Sequence, residues 1–232
     1  MDAGLAPQRI ALKSQGIMNT PATRRLFLTA SVGFTCLFAR AAEDPAAGWI
    51  ALFNGKDLTG WKAPDPNPFW KAADGILTGE NDPAKKGSML YTSESYGDFE
   101  LEAEARWQGE IDSGFMMRKK TSDDKIPGDL QLQIGVSRSL KKDMTGSFYI
   151  GNYPEAGQAK EAAKLLKAGD WNKFKLLVKG DTVTVWINGT QASQYKDARY
   201  AAPGPIGLQI HGGLAMKIEF RNLRLLPLGD KK

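Results

Sequence analysis

Asp98-Phe99-Glu100-Leu101-Glu102-Ala103-Glu104-Ala105-Arg106-Trp107 alternates at every position. Phe99, Leu101, Ala103, Ala105 and Trp107 share one face of an extended chain, and Glu100, Glu102, Glu104 and Arg106 share the other. A period of two with one apolar face belongs to an antiparallel strand that is half buried. Asp129-Leu130-Gln131-Leu132-Gln133-Ile134 repeats the pattern, with Leu130, Leu132 and Ile134 inward. Phe174–Val178 and Thr182–Ile187 flank the turn Lys179-Gly180-Asp181, and Asn188-Gly189 follows at once as a hairpin signal, with Gln191–Tyr195 as the return strand. Further strands are expected at Ile50–Phe53, Phe69–Ala72, Ser88–Tyr91, Gly114–Arg118, Ser147–Ile150, Ile206–Ile210 and Met216–Leu226. Many short strands separated by Gly, Pro and Asn turns predict an all-β chain, a β-sandwich or barrel. Ala159–Leu166 alone has helix-forming composition, enough for about two turns.

The 232 residues are 42% hydrophobic and 25% charged, which excludes a disordered or fibrous chain. The formal charge of +5 is concentrated at the start. Arg9, Lys13, Arg24, Arg25 and Arg40 lie in residues 1–41 against one acid, Asp2, leaving 26 basic and 25 acidic residues beyond. A near-neutral body gives no electrostatic case for a nucleic-acid partner. Residues 1–41 read as an export leader. Arg24-Arg25-Leu26-Phe27-Leu28 resembles a twin-arginine signal, preferred over an ordinary secretory signal with two chance arginines, and implies the twin-arginine export machinery as a partner of the precursor. The apolar stretch Leu26–Phe38 is too short to span a bilayer comfortably, so no stable membrane span is expected. Ala39-Arg40-Ala41 supplies a cleavage pattern, leaving residues 42–232 as a single periplasmic or secreted domain. Met18 is an alternative start that would shorten the leader. Cys36 lies within the leader and lacks a lipobox, so the exported domain has no disulfide and must rely on its core.

Chemical motifs are few. There is no phosphate-binding loop, no paired-cysteine metal site and no Gly-x-Ser-x-Gly elbow. Glu100, Glu102 and Glu104 could mount a glycosidase acid pair. A solvated outer strand face accounts for Glu100 and Glu102, with Glu104 left open. His211, the one histidine, stands in Gly207-Leu208-Gln209-Ile210-His211-Gly212-Gly213. It suits either a cleft residue doing general-base work or a turn-capping side chain.

An ordered set of segments resembles the 3-keto-disaccharide hydrolase family. It runs from Gly48-Trp49-Ile50-Ala51-Leu52-Phe53-Asn54-Gly55-Lys56-Asp57-Leu58-Thr59-Gly60-Trp61 through Tyr96–Leu101, Asp112–Arg118, Thr145–Tyr149, Gly169–Asn172 and Val185–Gly189 to Gly204–Gly212 and Ile218–Arg224. The resemblance implies a concanavalin A-like lectin/glucanase sandwich and cleavage of 3-keto-glycosides. A ketone at C3 acidifies the C2 proton, so elimination and rehydration replace ordinary glycoside hydrolysis. It implies His211 as base or acid with Asp129 as a second catalytic group. Arg118, Gln131, Gln133 and Asp112 are the expected polar contacts to an oligosaccharide or glycoside, Tyr149 is a side chain for stacking on a sugar ring, and Glu104, left open above, is a further candidate contact. Trp107 is a stacking candidate better explained as core. No organic cofactor is implied, and a divalent cation is not inferable. Two departures stand out. Gln131 replaces the family's glutamate, so Asp129 is the nearest substitute carboxylate, and Asp112 stands where Asn is usual. The alternatives are a non-catalytic carbohydrate-binding module on the same fold and an interaction domain without a sugar site.

Overall fold

The computed structural model describes residues 48–119 and 128–229. The leader, its arginines, its cleavage pattern and the alternative start lie outside the described residues.

Two antiparallel sheets form a sandwich, as the alternating strands require. In the first sheet the central strands are β6 (Phe99–Trp107) and β15 (Lys217–Pro227). On one side of β6 lie β11 (Asn172–Lys179), β12 (Thr182–Ile187) and β13 (Thr190–Lys196). On the other side of β15 lie β4 (Ile76–Glu80) and β3 (Trp70–Ala73), and β1 (Ile50–Ala51) also pairs with β15. The second sheet runs β10 (Phe148–Tyr149), β8 (Asp129–Ser137), β7 (Asp112–Lys119), β14 (Gly204–Ile210), β5 (Ser88–Tyr96), β2 (Trp61–Lys62), and β9 (Lys142–Asp143) pairs with β8. Phe115 of the second sheet packs edge-on against Phe174 and Phe220 of the first, at 5.7 and 5.8 Å between ring centres. Phe99, Leu101, Leu132, Ile134, Leu208 and Leu225 complete the contact between the two inner faces.

The Asn188-Gly189 turn has φ of 51° and 88° at its two central residues, the left-handed pair that a tight hairpin needs. The expected two-turn helix is a single 3-10 turn, Ala162–Leu165, entered at Glu161 without a side-chain cap. So short a segment has no cooperative helical stability, and Leu165 and Leu166 pack on the core from a loop instead.

The outer face of the first sheet is a lattice of charges. Glu100 meets Lys175 at 2.8 Å, Glu102 meets Arg224 at 2.6 Å and Lys173 at 3.1 Å, and Arg106 meets Glu219 at 2.6 Å. Burial raises the Glu102 carboxyl, but Arg224 and Lys173 outweigh it and hold it below the usual range.

β7 breaks its own alternation at Arg118. The register with β8 shifts between Met117 and Lys119, and Arg118 takes φ 59°. Its guanidinium swings to the end of the sandwich and donates to Asp98 Oδ1 at 2.6 Å, Gly180 O at 2.8 Å and Ala201 O at 3.1 Å. Gly180 lies in the β11–β12 turn and Ala201 precedes β14, so one side chain ties both sheets. Burial raises the Asp98 carboxyl, yet the Gly180 N–H and Arg118 together leave it lowered. Arg118→Ala leaves these acceptors without their partner. The expected loss is about 3 kcal/mol of stability, read from chemical unfolding.

Candidate active site

The outer face of the second sheet carries the polar residues of the alternating pattern. Because Phe115 and Met117 enter the core, β7 turns Asp112, Gly114 and Met116 outward. β8 presents Gln131 and Gln133, β14 presents Gly207 and Gln209, and β5 presents Met89 and Tyr91. The register aligns Tyr149, Gln131, Met116, Gly207 and Tyr91 in one cross-sheet row, and Gln133, Gly114, Gln209 and Met89 in the next.

Two bridges cross this face where glycine leaves room. Gln131 Nε2 donates to Gln133 Oε1 at 2.8 Å and to Gln209 Oε1 at 2.9 Å. Since β7 lies between β8 and β14, the second bond passes over Gly114. A Cβ there would sit 2.9 Å from Gln131 Nε2 and 2.6 Å from Leu132 O. Tyr91 reaches from β5 over Gly207, where a Cβ would lie 2.6 Å from its ring, and donates its hydroxyl to Asp129 Oδ2 at 2.8 Å. The amide chain continues as Gln133 Nε2 donates to Asp112 Oδ1 at 2.8 Å, while the Arg138 N–H donates to Asp112 Oδ2 at 3.2 Å. Tyr153 stands beside Tyr149, ring centres 5.1 Å apart. Burial pushes its hydroxyl up to about 12, with a contribution from Asp112 and against a lowering hydrogen bond with Ser137, so it is a neutral donor at physiological pH.

His211 follows β14 in the Asp112 row, its N–H donating to Asp112 O at 3.0 Å. The imidazole is exposed, and its Nδ1 lies 2.7 Å from Gly212 O. A carbonyl oxygen can only accept, so this contact is a hydrogen bond in the tautomer whose proton is on Nδ1. In that tautomer of the neutral ring Nε2 is a bare lone pair, the arrangement a general base needs.

The fold therefore gathers Asp112, Gln131, Gln133, Tyr149 and His211 on one surface, with Asp129 on the same sheet but at its far end. Asp112 opposes Gly135 and Asp129 opposes Lys119, so six strand steps along β8 separate the two ends. At a strand rise of about 3.3 Å per residue that is roughly 20 Å. His211 and Asp129 thus stand at opposite ends of this sheet. Arg118 is elsewhere: the β7 bulge removes it from this face and occupies it with Asp98 and two turn carbonyls. Glu104 is on the other sheet, paired with Arg221 at 2.5 Å beside a shallow pocket formed with Trp171 and Lys173. Trp107 packs against the core from its inward-facing position. Gln209, Tyr91, Tyr153 and Arg138 were not anticipated. Gln209 shares strand parity with His211 and could have been found by that count, whereas Tyr153 sits in a loop with no periodicity to expose it. Among the described residues no cluster of three or more His, Cys, Asp or Glu could hold a metal, and no helix is long and apolar enough to cross a membrane.

With this face described, comparison with known proteins decides the lineage. The profile of the 3-keto-alpha-glucoside-1,2-lyase-like domain matches residues 48–226. The chain belongs to this family. A 3-keto-disaccharide hydrolase of Bacteroides thetaiotaomicron is 25% identical, over 79% of this chain and 79% of that protein. A Parabacteroides distasonis protein provisionally described as a glycosyl hydrolase superposes with a TM-score of 0.60 at 22% identity, covering 78% of this chain and 99% of that one. A non-specific endo-β-1,3(4)-glucanase superposes with a TM-score of 0.50 at 10% identity, covering 77% and 91%. These superpositions establish the shared sandwich, and the family assignment marks the chain as glycosyl hydrolase-like or carbohydrate-binding.

Gly114→Ala tests the floor. The added methyl must displace Gln131, so a loss of about 1–3 kcal/mol in unfolding free energy is expected, and a crystal structure should show the Gln131–Gln209 bridge broken.

Proposed function

We propose that the chain cleaves 3-keto-glycosides by proton abstraction, elimination and hydration, with His211 as the proton-transfer group. The observation that carries this reading is the Nδ1–H contact to Gly212 O, which frees Nε2 at the edge of a neutral amide floor. His211 Nε2 takes the C2 proton, and the electron pair delocalises onto the C3 carbonyl oxygen as an enolate. The enolate collapses, the C1–O bond breaks, and the imidazolium returns its proton to the departing oxygen. Water then adds across the C1–C2 double bond, its oxygen to C1 and a proton to C2, for net hydrolysis. Gln209 Oε1 is held by Gln131, so its Nε2 hydrogens are available as donors to the developing oxyanion. Gln133 and Asp112 line the same part of the floor as contacts for sugar hydroxyls, and Tyr149 and Tyr153 offer ring faces for a pyranose. Arg118 and Glu104, each engaged away from this face, have no part in the scheme. Asp129, with Tyr91, belongs to a more distant contact. The leader in residues 1–41 is taken as an export address, which puts the substrate outside the cytoplasm.

A second reading has one observation in its favour. Gln131 replaces the family's glutamate and closes the floor as an uncharged amide chain, which suits a carbohydrate-binding module without turnover. Incubating residues 42–232 with a 3-keto-disaccharide and its unoxidised parent separates the two. Cleavage of the keto form alone supports the proposal, binding without cleavage supports the module, and equal cleavage of both sinks the keto-directed chemistry. In the first case His211→Ala should lower turnover by about 100-fold or more, and a fully active variant removes His211 from the mechanism.

A further inference from the structure

We propose that Asn81 is a positioning residue for His211, clamping the 211–213 turn so that Gly212 O captures the Nδ1 proton and leaves Nε2 bare. This rests on the reading of His211 as the proton-transfer group. Asn81 directly follows β4, 130 positions from His211 in sequence. Its Nδ2 donates to His211 O at 3.0 Å and to Lys86 O at 2.7 Å, and its Oδ1 accepts from Met216 N at 3.0 Å. One carboxamide thus uses both donors and its acceptor to join three segments: the 81–87 loop, the turn that carries His211, and the approach to β15. A hydroxyl has a single donor hydrogen and a carboxylate none, so neither reproduces the set.

The rest of the turn is gripped at backbone level. Gly213 N donates to Lys85 O at 2.7 Å on one flank, and His211 N donates to Asp112 O at 3.0 Å on the other. Gly87 abuts the turn so closely that a Cβ would lie 2.6 Å from Gly212 N and 2.8 Å from Ile210 O. The peptide planes on either side of Gly212 are therefore fixed, and with them the direction of its carbonyl. A histidine side chain free in water favours the proton on Nε2. Which nitrogen carries it in a protein is set by the hydrogen bond that the other ring atom makes. Here that bond is made to Gly212 O, whose peptide is held through Gly213 N on Lys85 O and whose preceding peptide is held by Asn81 on His211 O.

Because the chain has one histidine, its ring nitrogens give unambiguous signals in a labelled sample. The test is nitrogen-15 NMR of His211 in the full chain well above the imidazole pKa, with kcat and KM for a 3-keto-disaccharide measured alongside. The native protein should show the Nδ1–H form. Asn81→Ala should move it toward the Nε2–H form and lower kcat by on the order of tenfold to a hundredfold, with a smaller change in KM. Asn81→Asp keeps the shape and loses both donors, so it carries the test if the alanine variant does not fold. A native protein in the Nε2–H form, or a folded variant that keeps the Nδ1–H signal, overturns the proposal. Absence of turnover by the native chain counts against the proposed function alone, since the tautomer is read on the free protein.

Discussion

The buried guanidinium of Arg118 is the constraint around which the sandwich is assembled. A buried arginine needs partners for its charge, and Arg118, 2% exposed, meets one carboxylate and two backbone carbonyls through its terminal nitrogens, while its Nε is left without a partner. Asp98, its counter-ion, is itself held by the Gly180 N–H at 2.9 Å. The β5–β6 corner, the β11–β12 turn and the end of β7 are thereby fixed with respect to one another. The bulge that makes this possible also terminates the regular register of β7, so the polar floor begins where the structural anchor stops.

The two outer faces solve the problem of half-buried sheets differently. On the first sheet, long charged side chains pair across strands and cover aromatic rings, with Arg106 and Arg221 at 4.6 and 4.1 Å from the Trp171 ring centre and Arg224 at 4.5 Å from Trp49. Such a surface is saturated by its own contacts. On the second sheet buried carboxamides and a phenol are joined in chains that end on the carboxylates of Asp112 and Asp129. A neutral polyol such as a sugar exchanges hydrogen bonds with amides at little desolvation penalty, whereas it has nothing to offer a paired ion.

Much of this could be read before any coordinates. The strict alternation of Asp98–Trp107 and Asp129–Ile134 announced half-buried antiparallel strands, and Asn188-Gly189 announced its hairpin. Parity also separates Gln131 and Gln133 from Leu130 and Leu132. Parity alone does not place Arg118: counting by twos from Asp112 puts it on the polar face, and only the left-handed residue at the register shift, a tertiary accommodation, moves it away. Parity is equally silent on which sheet a strand joins, so Glu104 was indistinguishable from a site carboxylate. The separation of His211 from Asp129 was hidden for a related reason, since it depends on the pairing of β14 with β7 and of β7 with β8. Residues such as Tyr91 and Asn81 act across strands remote in sequence, where no local pattern records their partners.

The position of β15 has a consequence for how the chain acquires its shape. The final strand is not an edge added to a finished sheet; it lies between β6 and β4 and also pairs with β1. Ile218 faces Trp107 and Leu225 faces both Leu101 and Ile50, so the opening and closing segments meet in the interior of one layer. Without β15 that layer is three unjoined pieces, β13–β12–β11–β6, β4–β3 and β1, each with open edges. Closure of the core is consequently a late, long-range event. The cooperativity of the sandwich is built into the order of its strands.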